Sequence, residues 1–133
     1  MRRLLIAILL LASCATFAQK RPFTFEDMMK LKRVGDFTIS PDARWVAFSA
    51  VDVSLAENSK HSHIWIVPLA GGEPHRLTEP GQGSEDRLRW APDGRRVLFT
   101  AVRNGVAQIY VQPFHSETGT LISSPRPVTN IST

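Results

Sequence analysis

His61 and His63 stand two apart, so on an extended chain both imidazoles point to one face and could offer two nitrogens to a metal ion. No third ligand follows at a telling spacing, and the surrounding residues 52–62 (DVSLAENSKHS) read as a polar surface loop, so solvated rings are expected. His75 and His115 are isolated and are expected at the surface. Glu26-Asp27 and Glu85-Asp86 are adjacent carboxylate pairs, and adjacent side chains do not face each other, which points to solvation rather than acid–base work. The nucleophile elbow of an α/β-hydrolase, a sharp strand-to-helix turn of the form Gly-x-Ser-x-Gly, does not occur. Gly81-Gln82-Gly83-Ser84 comes nearest, without the spacing and without a buried strand entering a helix. Neither a phosphate-cradling loop nor a dinucleotide fingerprint occurs. Cys14 is the only cysteine, which forbids an internal disulfide and a multi-cysteine zinc site. No catalytic residue, metal ligand or cofactor-binding residue is therefore expected. Trp45, Trp65 and Trp90 are expected to pack a sheet rather than form a stacking platform, and Asn130-Ile131-Ser132 is a formal glycosylation sequon.

The elements that would have to position any site are few. At 133 residues the chain is one domain or a piece of one, with hydrophobic residues at 43% and charged residues at 21%, ordinary globular usage. Its formal charge of +4 includes Arg2 and Arg3 of an export signal. Without residues 1–18, 14 basic side chains face 12 acidic ones, too even a balance for a nucleic-acid partner. In that signal two arginines precede an apolar run, Leu4 to Ala12, and then small residues, the order of a secretory leader. The run is about half the ~20 residues a membrane-spanning helix needs. Two fates stay open. Thr16-Phe17-Ala18 suits ordinary cleavage between Ala18 and Gln19, whereas Leu11-Ala12-Ser13-Cys14 has the form of a lipobox in which Cys14 would be lipidated. Either way the mature protein is expected outside the cytoplasm, periplasmic or extracellular, at a membrane only if lipidated. A cysteine lost with its leader also fits an oxidising compartment.

Phe23 to Gly35 carries helix punctuation. Thr24 and Asp27 are placed for a capping box, and Phe23 and Met28 for a hydrophobic staple. Gly35 would supply the left-handed residue after the helix, and Phe25, Met28, Met29 and Leu31 its buried stripe. From Asp36 the chain repeats itself. Ile39 to Ala50 aligns with Trp90 to Ala101 at an offset of 51 without a gap, and Ile64 to Pro68 with Ile109 to Pro113 at 45. Arg76-Leu77-Thr78 returns to offset 51 against Pro127-Val128-Thr129. A period of about 40–50 residues with four short strands in each unit is the signature of propeller blades. Pro41 and Pro92 preset a tight turn, Asp42 and Asp93 can accept from nearby backbone N–H groups, and Gly94 suits a left-handed position that Ala43 fills in the first unit.

The expected organisation is a leader at 1–18, a linker and short helix at 19–35, blade one at 36–78, a connection at 79–86, blade two at 87–129 and a tail at 130–133. Blade-one strands fall near 36–40, 45–50, 63–68 and 74–78, and those of blade two near 87–90, 96–102, 107–113 and 126–129. The fold class is all-β: two four-stranded blades of an incomplete β-propeller behind a leader and a short α-helix. Val46, Phe48, Trp65, Val97, Phe99 and Tyr110 are the candidate contacts between blades.

The helix together with Asp36-Phe37-Thr38-Ile39-Ser40-Pro41-Asp42 resembles the opening of the prolyl oligopeptidase (S9) family of serine peptidases, near its secreted acylaminoacyl-peptidase and dipeptidyl-aminopeptidase members. Ile64-Trp65-Ile66-Val67 and Gly71 to Thr78 are similar to segments of TolB-like (WD40-like) propellers more broadly. The resemblance spans about residues 22–129. It implies an N-terminal propeller fragment of an exported serine peptidase, whose catalytic α/β-hydrolase domain with its Ser, Asp, His triad is not in this chain. Its partners would be the remaining blades, that hydrolase domain and, for the parent enzyme, short peptide substrates. Alone, this chain would be inactive and marginally folded or aggregating. The alternative is a non-enzymatic TolB-like periplasmic propeller acting as a protein-interaction module. A third reading is a two-blade protein that completes its ring by oligomerising.

Overall fold

Two turns of related sequence set the architecture. Ser40-Pro41-Asp42-Ala43 closes on an Ala43 N–H to Ser40 carbonyl bond of 2.9 Å, and Ala91-Pro92-Asp93-Gly94 on its counterpart from Gly94 to Ala91, also 2.9 Å. Asp42 accepts from the Arg44 N–H at 3.2 Å and Asp93 from the Arg95 N–H at 3.0 Å. Gly94 has φ +66, and Ala43 adopts the same left-handed region at φ +54. Each turn reverses the chain into a blade's long central hairpin.

A computed structural model describes residues 21–78 and 83–131. The leader with Cys14, Ala18 and Gln19, residues 79–82 of the connection, and the last two residues lie outside the described residues. After helix α1 (Phe25–Lys30), β1 (Arg33–Ile39), β2 (Trp45–Ser54), β3 (Ser59–Pro68) and β4 (His75–Arg76) form an antiparallel sheet in chain order. Strands β5 (Glu85–Trp90), β6 (Arg96–Arg103) and β7 (Val106–His115) repeat the pattern, with β8 (Thr120–Leu121) and β9 (Arg126–Pro127) both pairing β7. β1 carries one extra residue against β2 between Val34 and Phe37, and β5 one against β6 between Asp86 and Arg89. These are β-bulges at corresponding places.

The blades pack face to face. Strand alternation sends Trp45, Ala47, Ile64 and Ile66 from blade one against Val97, Phe99, Ala101 and Phe114 from blade two. Ile64, Ile66, Val97 and Phe99 are buried to within 1% of completely, and burying each such side chain contributes roughly 1.5–3 kcal/mol.

Several expectations are corrected. Val46, Phe48 and Trp65 are not at this interface: they alternate onto the opposite, half-buried face of blade one, and Ala47, Ile64 and Ile66 take the contact. Residues 52–62 are not a loop, because β2 and β3 stay paired from Trp45↔Pro68 to Ser54↔Ser59 and leave only residues 55–58 to turn. Blade two's hairpin likewise runs on to Asn104-Gly105, whose φ values of +52 and +80 suit a two-residue type I′ turn. The helix stops at Lys30 with Leu31 as an extended cap, so Gly35 is not its terminator. Gly35 lies in β1, where a Cβ would meet Ser49 Oγ at 2.6 Å. The capping box forms, with Asp27 accepting from the Thr24 N–H at 3.0 Å, but no residue of the helix is buried and Phe25 is 62% exposed. Six residues span under two turns, too short to hold an apolar stripe against the sheet.

Candidate functional site

The cleft between the blades brings together groups that are distant in sequence. Glu85 opens β5 opposite Ala101 and is 1% exposed. The expectation of a solvated Glu85 is therefore wrong. Thr78, just after blade one's outer strand, donates its hydroxyl to Oε2, and Arg103, at the end of β6, donates Nη2 to Oε1 at 3.0 Å. Arg76 of β4 approaches Oε2 at 3.9 Å. Burial pushes the Glu85 carboxyl up, against the Thr78 hydroxyl and the two guanidiniums, which pull it down. A cavity of about 870 Å³ opens beside this cluster, walled by His75, Arg76 and Thr78 of blade one and by Phe99, Tyr110 and Gln112 of blade two. Phe99 and Tyr110 stack with centroids 6.1 Å apart, and the Arg103 guanidinium lies 5.6 Å from the Tyr110 ring. At offset 51 Glu85 corresponds to Val34, which pairs with Ala50 as Glu85 pairs with Ala101, yet Val34 is exposed, so the repeat carried no signal of the burial of Glu85.

At one end of the interface the turns meet. Asp42 accepts a hydrogen bond from the Ser116 hydroxyl, and Ser40 donates to Asp42 Oδ1 at 2.6 Å; the Ser116 hydroxyl chiefly, then that of Ser40, holds the Asp42 carboxyl below its ordinary range. Pro41 lies within van der Waals reach of a Cβ placed on Gly94. Trp45 Nε1 donates to the Ser116 carbonyl at 2.6 Å, the His75 ring packs edge-on to Trp45 at 6.3 Å, and a His75 ring nitrogen lies 3.2 Å from the Gly119 carbonyl oxygen. His75 is thus a contact residue rather than an isolated one, although exposed. Elsewhere the inner strands are bridged by Arg89 and Asp36 at 2.6 Å.

The remaining candidates are not brought together as a reaction centre. His61 and His63 stack at 6.3 Å on the hairpin, and among the described residues no group of three His, Cys, Asp or Glu side chains is placed to hold a metal. Burial lowers the His63 pKa. None of the hydrogen bonds among the described residues joins a serine hydroxyl to a histidine ring. Pro41, Asp42, Pro92, Asp93 and Gly94 form their turns, and Asp42 also joins the two blades through the Ser116 hydroxyl. What the arrangement can do is hold two sheets in register and present faces to a neighbour.

No protein-family model matches the chain. Among curated proteins it is 27% identical over 92 residues to dipeptidyl-peptidase 5 of Porphyromonas endodontalis, covering 69% of this chain and 13% of that one. It is 32% identical over 93 residues to the uncharacterized peptidase YuxL of Bacillus subtilis, covering 69% and 14%. The chain therefore spans about an eighth of the length of these relatives. Of solved structures, Pyrococcus horikoshii acylaminoacyl peptidase superposes with a TM-score of 0.57 at 22% identity, over 78% of this chain and 15% of that one. The β-propeller domain of the Trilobed protease from Pyrococcus furiosus gives 0.54 at 20%, over 75% and 28%. Both structural likenesses show the fold. Taken with the sequence relatives, they place the chain with the propeller part of prolyl oligopeptidase-family peptidases.

Proposed function

We propose that these blades belong to the propeller of an exported serine peptidase, in which the ring limits access so that short peptides reach a catalytic serine on a separate α/β-hydrolase domain. The observation that carries this reading is the 32% identity over 93 residues to a peptidase, combined with two blades whose interface is already built. The role of the chain in such an enzyme is structural: it supplies wall, not nucleophile. Export is supported by the order of charged, apolar and small residues at 1–18.

The test reads the coding sequence past Thr133 and expresses whatever the frame encodes. Further blades followed by a serine that reacts with a fluorophosphonate probe, and cleavage of dipeptidyl or acylaminoacyl chromogenic substrates, are the expected result. A product with more blades and no reactive serine would overturn the peptidase reading.

A further inference from the structure

Polar contacts fasten the two blades to each other at separate points, and at one of them the carboxyl is buried. Glu85 divides its oxygens between the blades. Oε1 accepts from Arg103 Nη2 of its own blade at 3.0 Å, while Oε2 accepts from the Thr78 hydroxyl of blade one and has Arg76 Nη2 of β4 at 3.9 Å. One residue earlier, the Ser84 hydroxyl accepts from the Ser62 N–H of β3 at 3.4 Å, a further bond across the joint. Asp42 and Asp36, the carboxylates at the other fastenings, are exposed. The 115–120 turn holds blade one there through Asp42, Trp45 and His75. The cavity of about 870 Å³ touches both fastenings, since Glu85 and Arg103 line it and so do His75 and Gly119.

Ionising Glu85 puts a full charge at a site 1% exposed. The Thr78 hydroxyl and the two guanidiniums offset part of the lost hydration, but burial outweighs them and pushes the carboxyl up. Among the described residues the charged groups that face it are Arg76 from β4 and Arg103 from β6. His75 and Tyr110 line the adjoining cavity, and His63 of β3 lies in the field of Arg76 with its own burial favouring the neutral ring.

We propose that Glu85 is a pH-sensitive clasp at the joint between the blades. Uncharged, it keeps β4 closed on β5 and β6. Ionised, it draws water into the neighbouring cavity, and this side of the joint opens about the 115–120 turn, which stays fastened. Both walls of the joint belong to this chain, so the proposal holds for any number of further blades and does not depend on the peptidase reading. The closed joint binds the proton more tightly than the open one, in which Glu85 has its ordinary value of 4.5. The opening constant therefore rises by up to about tenfold per pH unit between 4.5 and the raised value, and is flat on either side.

The test uses the protein expressed from its complete reading frame. Hydrogen exchange is followed by mass spectrometry with single-residue fragmentation, each rate being divided by that of the unfolded chain at the same pH. Protection of the Ser62 amide is expected to fall by up to about tenfold per pH unit across that interval. The Gly119 amide, bonded to the His115 carbonyl at 2.9 Å, is expected to keep its protection. Glu85→Gln removes the charge and should abolish the fall. Thr78→Val removes a hydroxyl that favours the ionised form, so the fall should move to higher pH, and this variant decides the matter if Glu85→Gln does not fold. His75→Gln removes the imidazole beside the cavity and should leave the fall unchanged. Four results would overturn the proposal: constant Ser62 protection in the wild type, a fall that survives Glu85→Gln or disappears in His75→Gln, a fall that Thr78→Val leaves in place or moves to lower pH, or an equal fall at Gly119.

Discussion

Gly119→Ala is expected to loosen the contact between the blades, and the size of the effect follows from two separable causes. Gly119 sits at φ +68, a region in which a side chain costs roughly 1–2 kcal/mol. Its new Cβ would also stand 2.6 and 2.7 Å from Trp45 Cζ2 and Cζ3. Trp45 cannot simply retreat. It is 9% exposed, and its Nε1 is tied to the Ser116 carbonyl at 2.6 Å. Forcing extra volume into such packing costs about 1–3 kcal/mol, for a total of about 2–5 kcal/mol. Gly71→Ala separates the causes, because Gly71 has φ +98 but nothing within 4 Å of a Cβ, leaving only the backbone cost. Equilibrium unfolding in urea at one fixed protein concentration, followed by tryptophan fluorescence, would measure both variants. A Gly119→Ala cost within about 0.5 kcal/mol of the Gly71→Ala cost, the usual scatter of surface changes, would refute the idea that the 115–120 turn grips Trp45.

Three other outcomes can be checked. Ala43→Gly should stabilise by up to about 1 kcal/mol, the relief of left-handed strain at φ +54 less the added chain entropy, and a lower urea midpoint would contradict this. Glu85→Gln should gain stability relative to wild type as pH rises: a raised folded pKa gives stability fully present below the ordinary value of 4.5 and lost as pH climbs through the folded value. Unfolding midpoints across that range should show it, and a difference that is flat or of opposite slope would refute it. If the leader is cut between Ala18 and Gln19, Cys14→Ala should leave processing unchanged, and incorporation of labelled palmitate at Cys14 would show the lipidated fate instead.

What the sequence made legible was local. Pro41-Asp42 and Pro92-Asp93-Gly94 encode their turns through fixed φ values and short acceptor side chains, and the offset of 51 carried the same backbone into both blades. The choice of face was not legible. Alternation separates Val46 and Phe48 from Ala47, yet a blade between two neighbours is apolar on both sides, so composition does not say which side meets the sibling. Glu85 read as part of a polar connection because its partners Thr78, Arg76 and Arg103 reach it from a neighbouring blade and from the far end of a hairpin. The full length of the second hairpin was available in Asn104-Gly105, a dipeptide whose tolerance of positive φ marks a two-residue turn.

The bulges in β1 and β5 bear on how this chain avoids the wrong kind of association. An edge strand with a free row of N–H and C=O groups is a template for open-ended β pairing, and its danger grows with its regular length. The outer edges β4 and β9 are only two residues long. The inner edges are longer, seven residues in β1 and six in β5, but each is broken by one inserted residue. At the second bulge Arg87 has φ +56, which turns the backbone out of the extended line. An incoming strand would find no uninterrupted ladder to copy along β1 or β5. On these two strands the inserted residue of each bulge obstructs growth into amyloid-like ribbons.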